Sequence, residues 1–164
     1  MESDDDYEKE KDLEGHSKSM SLEAMEIVAK QMKNCVCKIK FKVGGKNGNG
    51  TGFFCNVLYD GWNSIRVLMT NNHILNESYI LPGKEISFFM NNGKIQKKII
   101  IDNSRKIYTS KKYDITIIEI KKEDDMKPDS FLGIDNEIFE ETSVENFNKK
   151  PIYLLHYPKG IEIK

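Results

Sequence analysis

Apolar residues along the chain fall into two kinds of spacing. Between 21 and 34, Leu22, Met25, Val28, Ala29 and Met32 recur at intervals of three and four, which predicts an amphipathic helix with one apolar stripe. Ser21 stands where an N-cap belongs, and Glu23 lies near the positive end of the helix dipole. We expect the stripe to pack into a core, because methionines at this spacing more often fill core gaps than form a peptide for another protein's groove. From Cys35 the period changes to two. Cys35, Cys37, Ile39, Phe41 and Val43 alternate with Lys38, Lys40 and Lys42, the pattern of a strand with one face in a core and the other in water.

Further strands follow between turn signals. Gly44 to Gly50 reads as a flexible hairpin loop, 51–58 as the next strand and Asp60-Gly61 as a turn. In the run around 64–70, Ile65, Val67 and Met69 form the expected core face. Leu81-Pro82-Gly83 is a turn. Ile86, Phe88 and Met90 alternate, and Asn91-Asn92-Gly93 marks a hairpin into Ile95–Ile101. Residues 102–112 read as a polar connection, and 114–120 as a β-branched strand. Six strands are therefore predicted, at about 35–43, 51–58, 64–70, 85–90, 94–101 and 114–120, which is enough for a small barrel or sandwich. Phe131 to Asp135 is a short apolar segment, 136–150 a linker or part of a helical turn, and Pro151 to Gly160 one more strand.

Two places in this frame carry chemistry. His73 follows Thr70-Asn71-Asn72, residues whose side chains favour turns by bonding the local backbone. It is thereby held at a strand end yet open to a cleft, a good position for a group that exchanges protons near neutral pH. Asp114 opens the strand Ile115-Thr116-Ile117-Ile118, where a carboxylate needs a partner. A histidine N–H is a suitable one. Each residue also has a plainer reading: His73 as a structural histidine bonded to a backbone carbonyl, Asp114 as a turn cap or the partner of a nearby lysine.

Taken together, Gly50-Thr51-Gly52-Phe53-Phe54, Thr70-Asn71-Asn72-His73-Ile74-Leu75 and Tyr113-Asp114-Ile115-Thr116-Ile117-Ile118 resemble the trypsin-like serine proteases of the chymotrypsin fold. Those proteases carry a G-T-G-F/S strand, a T-A-A-H-like histidine segment and a D-I-A-L-like aspartate strand in the same order. The resemblance spans about 20–160. It implies an all-β fold: a trypsin-like six-stranded β-barrel preceded by an N-terminal helix, with the second barrel only begun. The implied division is an acidic disordered tail at 1–19, the barrel at 20–135, and a linker with the first strand of an incomplete second barrel at 136–164. The implied function is serine-type endopeptidase. His73 would be its general base and Asp114 the carboxylate that orients and stabilises the imidazolium. The substrate class is then a polypeptide, with no cofactor.

The chain departs from that pattern where the nucleophile should be. Family members place it in a G-x-S-G segment, and none occurs here. Ser130 and Ser143 lack the flanking glycines that let backbone N–H groups converge on an oxyanion. Cys55 sits among apolar strand residues, where burial opposes a reactive thiolate. His156 reads as a strand residue, not a second base. The 164-residue chain alone is expected to be inactive, and a catalytically inactive protease-like module for peptide or protein binding remains the alternative reading. The family's Ile/Val-Gly-Gly activation segment and the cysteine after the histidine are also missing, which points to an intracellular branch that is not activated as a zymogen.

Composition narrows the setting. Residues 1–20 hold eight acids against three bases, whereas the rest carries 22 bases against 18 acids. The first fifteen or so residues have too little apolar content to fold alone. The lysine excess elsewhere is an ordinary solvated surface and implies no nucleic-acid partner. Three cysteines, the acidic start and the absence of a secretory h-region suit a reducing, cytoplasmic compartment. The apolar runs are too short to span a bilayer. Cys35 and Cys37 cannot complete a zinc site, since no second pair follows, so no metal is expected. Gly44–Gly50 lacks the Gly-Lys-Ser/Thr ending of a phosphate cradle.

Overall fold

A computed structural model of the chain describes residues 20–43, 46–59, 63–135 and 154–157. The predicted tail at 1–19 and the linker at 136–150 lie outside them. Helix α1 runs Leu22–Asn34, capped by Ser21, whose hydroxyl accepts from the N–H of Ala24 at 3.2 Å. The expectation of a core-packed stripe fails. Leu22 is 73% exposed and Met25 50%, and no residue of the helix is buried. The reason is its placement: α1 rests chiefly on the first strand and on the turn Pro128–Ser130. Asn34 Nδ2 donates to Asp129 Oδ2 at 3.2 Å, so the helix is moored at its C-terminal end, and only Val28 and Met32 of the stripe are half-buried.

The remainder is mostly β. Strands β1 (Val36–Val43), β2 (Lys46–Tyr59), β3 (Asn63–Thr70), β4 (Glu85–Met90), β5 (Ile95–Ile100), β6 (Ile107–Ser110) and β7 (Ile115–Glu119) form one antiparallel sheet in the order β5-β4-β1-β2-β3-β7-β6. A two-residue β8 (Leu132–Gly133) pairs in parallel with β2 at Cys55 and Asn56. Inward residues of β1 (Cys37, Ile39), β2 (Phe54), β3 (Leu68), β4 (Phe88), β5 (Ile99) and β7 (Ile118) all join a single core cluster. A sheet whose successive strands all face one cluster has to curl, and this one is a curled antiparallel half-barrel. The alternation expected in β4 is present, with Ile86, Phe88 and Met90 buried. In β1 it holds only in part: Cys37 and Ile39 are buried and Lys40 is exposed, but Val36 and Lys38, in phase with the side expected to face water, are buried as well.

Four expectations are corrected. The supposed hairpin loop at 44–50 is strand from Lys46 onward, paired with β1 from Val43↔Lys46 to Ile39↔Gly50. Its glycines serve close packing: a Cβ on Gly48 would lie 2.5 Å from the ring of Phe41, so the ring can lie there only because the residue has no side chain. In β3 the core face belongs to Leu68 and not to Ile65, Val67 and Met69. Val67 is buried too, but it pairs with the buried Cys55 on the face opposite Leu68. Burial on both faces of the sheet is what breaks the simple alternation. Within the polar connection 102–112 lies a further strand, β6. Leu154–Tyr157, the described part of the expected strand at 151–160, has no strand pairing; the N–H of Tyr157 instead donates to Thr51 Oγ1 at 2.9 Å.

The strands β5 and β6 at the two ends of the sheet are consecutive in the chain. The turn between them is held by charge. Asp102 Oδ1 accepts from the N–H and hydroxyl of Ser104 at 2.8 and 2.7 Å, and Lys121 Nζ lies 3.0 Å from both Asp102 oxygens. The buried Arg105 guanidinium grips Asp124 at 2.7 and 3.0 Å and donates to the carbonyl of Glu119 at 2.6 Å.

Candidate functional site

Strand β3 ends at Thr70, whose hydroxyl donates to the carbonyl of Thr51 on β2 at 2.8 Å. The chain then turns, with the N–H groups of Ile74 and Leu75 both donating to the carbonyl of Asn71 at 3.1 Å. Ile74 and Leu75 are 6% and 1% exposed. Burial of this apolar pair anchors the turn and leaves His73 facing outward. Asp114 sits at the entrance to β7 with φ of 48°, a left-handed conformation that aspartate tolerates better than most residues.

The two residues meet. His73 Nδ1 lies 2.7 Å from Asp114 Oδ2, and the backbone N–H of His73 donates to Asp114 Oδ1 at 2.9 Å. An ionised carboxylate only accepts, so Nδ1 carries the proton, and in the neutral ring Nε2 keeps its lone pair. The backbone N–H of His73, above all, holds the Asp114 carboxyl below the ordinary carboxylate value, with help from the ring N–H and from Asn71. Both side chains remain accessible, at 65% exposed for His73 and 45% for Asp114. A base with a fixed tautomer and a charged orienting partner, open to solvent, can take up and return a proton.

A second set of bonds fixes the turn from below. Asn72 Nδ2 donates to Thr109 Oγ1 at 2.7 Å, Thr109 and Thr116 hydroxyls are 2.8 Å apart, and Thr116 Oγ1 donates to the carbonyl of Leu75 at 2.7 Å. The residue before His73 and the second residue after it are therefore tied to β6 and β7, and β7 is the strand that starts from Asp114. Thr116 is fully buried.

Sequence reasoning did not anticipate these supports. It assigned the side chains of Asn71 and Asn72 to local turn bonds, whereas both reach other segments: Asn71 to Asp114, Asn72 to Thr109. A signal existed for Thr116. It occupies an inward position of β7, in phase with the buried Ile118 and Ile120, and a buried hydroxyl needs a partner.

None of the other candidates among the described residues hydrogen-bonds to this pair. Ser130 is buried in the turn against α1, and Ser143 lies outside the described residues. Cys55 is buried with its sulfur 3.3 Å from that of Met69, and burial pushes its thiol up to about 11. Cys37 is wholly buried, which raises its thiol further. All three cysteines are free. His156 is exposed in the segment 154–157. No group of three metal-ligating side chains occurs among the described residues, and none of their helices is long and apolar enough to cross a membrane.

Compared with protein-family models, with curated proteins and with solved structures, the chain matches none.

Proposed function

We propose that this chain carries the general-base half of a trypsin-like serine endopeptidase. The observation that supports this reading most is the double hold on Asp114: one carboxylate oxygen takes the ring Nδ1–H of His73 and the other its backbone N–H. A turn cap or a lysine partner for Asp114 would not need that arrangement. The strand order is compatible with a six-stranded barrel if β5 and β6 are two halves of one strand interrupted at Asp102–Arg105.

In the proposed reaction, His73 Nε2 removes the proton from a serine hydroxyl as its oxygen attacks the carbonyl carbon of a peptide. The resulting imidazolium, stabilised by Asp114, then protonates the leaving amine, and an acyl-enzyme remains for water to hydrolyse. The serine itself would come from outside the residues described, in a G-x-S-G setting that this sequence does not contain.

The second reading is a barrel without catalysis that binds a peptide or a partner protein. A fluorophosphonate probe applied to the product of the complete gene separates the two. Covalent labelling that disappears in His73→Ala supports the peptidase. A folded product that binds peptide but takes no label supports the binding module.

A further inference from the structure

Asp114 accepts a third hydrogen bond, and it comes from outside His73. Asn71 Nδ2 lies 3.1 Å from Asp114 Oδ2 and 3.2 Å from the Asp114 carbonyl oxygen. Both partners can only accept, so the amide must present its nitrogen and not its oxygen. We propose that Asn71 is the positioning residue of the His73–Asp114 pair, clamping the carboxylate and the left-handed backbone of Asp114 at once. The inference rests on reading that pair as a general base and its orienting acid.

The reason lies in what holds the carboxylate. Its other two donors are the backbone N–H and the ring N–H of His73, the very residue it has to orient. A carboxylate held only by its own client can swing with it. Asn71 supplies the independent anchor. Its own backbone is fixed, because its carbonyl takes the N–H groups of the buried Ile74 and Leu75. Its second bond, to the carbonyl of Asp114, ties down a residue at positive φ, where an L side chain is held only by its surroundings. The alanine of the T-A-A-H pattern at this place has no side-chain donor to offer, so a side-chain clamp is a property of this sequence. Asn71 is exposed, which makes a purely packing role a poor account of it.

The test uses the ¹⁵N-labelled 164-residue chain and the low-field ¹H signal of the His73 Nδ1 proton. Asp114→Asn serves as the control that removes the acceptor charge. In Asn71→Ala, solvent exchange of that proton should accelerate by roughly ten-fold, the effect of losing one hydrogen bond to a charged group. Asn71→Asp keeps the shape but sets an acceptor against acceptors, and should lose the signal outright. An Nδ1 signal that survives unchanged in Asn71→Asp, or an exchange rate in Asn71→Ala within two-fold of the parent, overturns the proposal. If Asn71→Ala loses its native amide dispersion, the residue is structural and the proposal also falls. Fluorophosphonate labelling of the complete gene product is scored separately. An intact Asn71 effect without any labelling keeps the clamp and removes the peptidase reading.

Discussion

Ile74 fills the space that a side chain at Gly50 would need. A Cβ built there would lie 2.6 Å from two atoms of the Ile74 side chain. Ile74 is the residue after His73, so the glycine on β2 sets how deeply the histidine turn can seat. Replacing Gly50 by alanine should push Ile74 outward and destabilise the fold by about 1–3 kcal/mol, as overpacking does. Denaturant unfolding measures this. Ile74→Val or Ile74→Ala introduced together with Gly50→Ala should recover part of the loss, because the two sites share one space. Additive losses in that cycle would show that the two side chains do not compete.

The pair at the site predicts a pH dependence whose sign follows from Asp114. Its carboxyl is held below the ordinary value of 3.8 by the His73 backbone N–H first. A depressed folded-state value favours the ionised form in the native state. The stabilisation is therefore complete above the unfolded value of about 3.9 and disappears as pH falls through the lower folded value. Asp114→Asn should cost stability above the ordinary carboxylate range, and the gap from the parent should close in the acid range below it. A gap that persists unchanged at strongly acidic pH would mean the carboxylate is not preferentially ionised in the fold.

Thr116 is the hub beneath the histidine turn. Thr116→Val keeps the volume but strands the carbonyl of Leu75 and removes the hydroxyl partner of Thr109. The expected cost is about 1–3 kcal/mol, read by thermal or denaturant unfolding. Faster amide exchange should concentrate at 72–75, since those residues are anchored through it. Uniform exchange across the whole sheet would argue against a local anchor.

Arg105 and Asp124 form an ion pair whose side chains are 2% and 6% exposed. Asp124→Asn leaves the buried guanidinium with Asp102, at 3.9 Å, as its remaining close counter-charge, and should destabilise by up to about 3–5 kcal/mol. The double replacement Arg105→Met with Asp124→Leu should cost less than Asp124→Asn alone, because it removes the need to solvate either charge. The opposite ranking in unfolding measurements would mean that the pair contributes net stability of its own.

Local pattern made much of this molecule legible. The helix at 21–34, its Ser21 cap and strands β1, β3, β4, β5 and β7 follow from apolar spacing and turn residues, which act over a few positions. The pairing of His73 with Asp114 was expected from their motifs. The destination of the helix stripe was not legible, because periodicity specifies a face but not whether another element arrives to cover it. Likewise β6 was hidden: it is four residues long, and its inward Thr109 is polar and finds partners in Asn72, from the histidine turn, and in Thr116 on the neighbouring strand β7.

Glycines at 48 and 50 looked like loop residues, since sequence alone gives their flexibility and not the neighbours that need the missing Cβ. Asn71 carries the same lesson. Its residue type announces a turn, and only tertiary structure brings the Asp114 carboxylate within reach of its amide. The sequence by itself determined the helix and most of the strands, and it singled out the two side chains that pair at the candidate site. Tertiary structure alone decided what holds those side chains still, because a hydrogen bond between residues some forty positions apart depends on how the strands stack and not on either residue's own preferences.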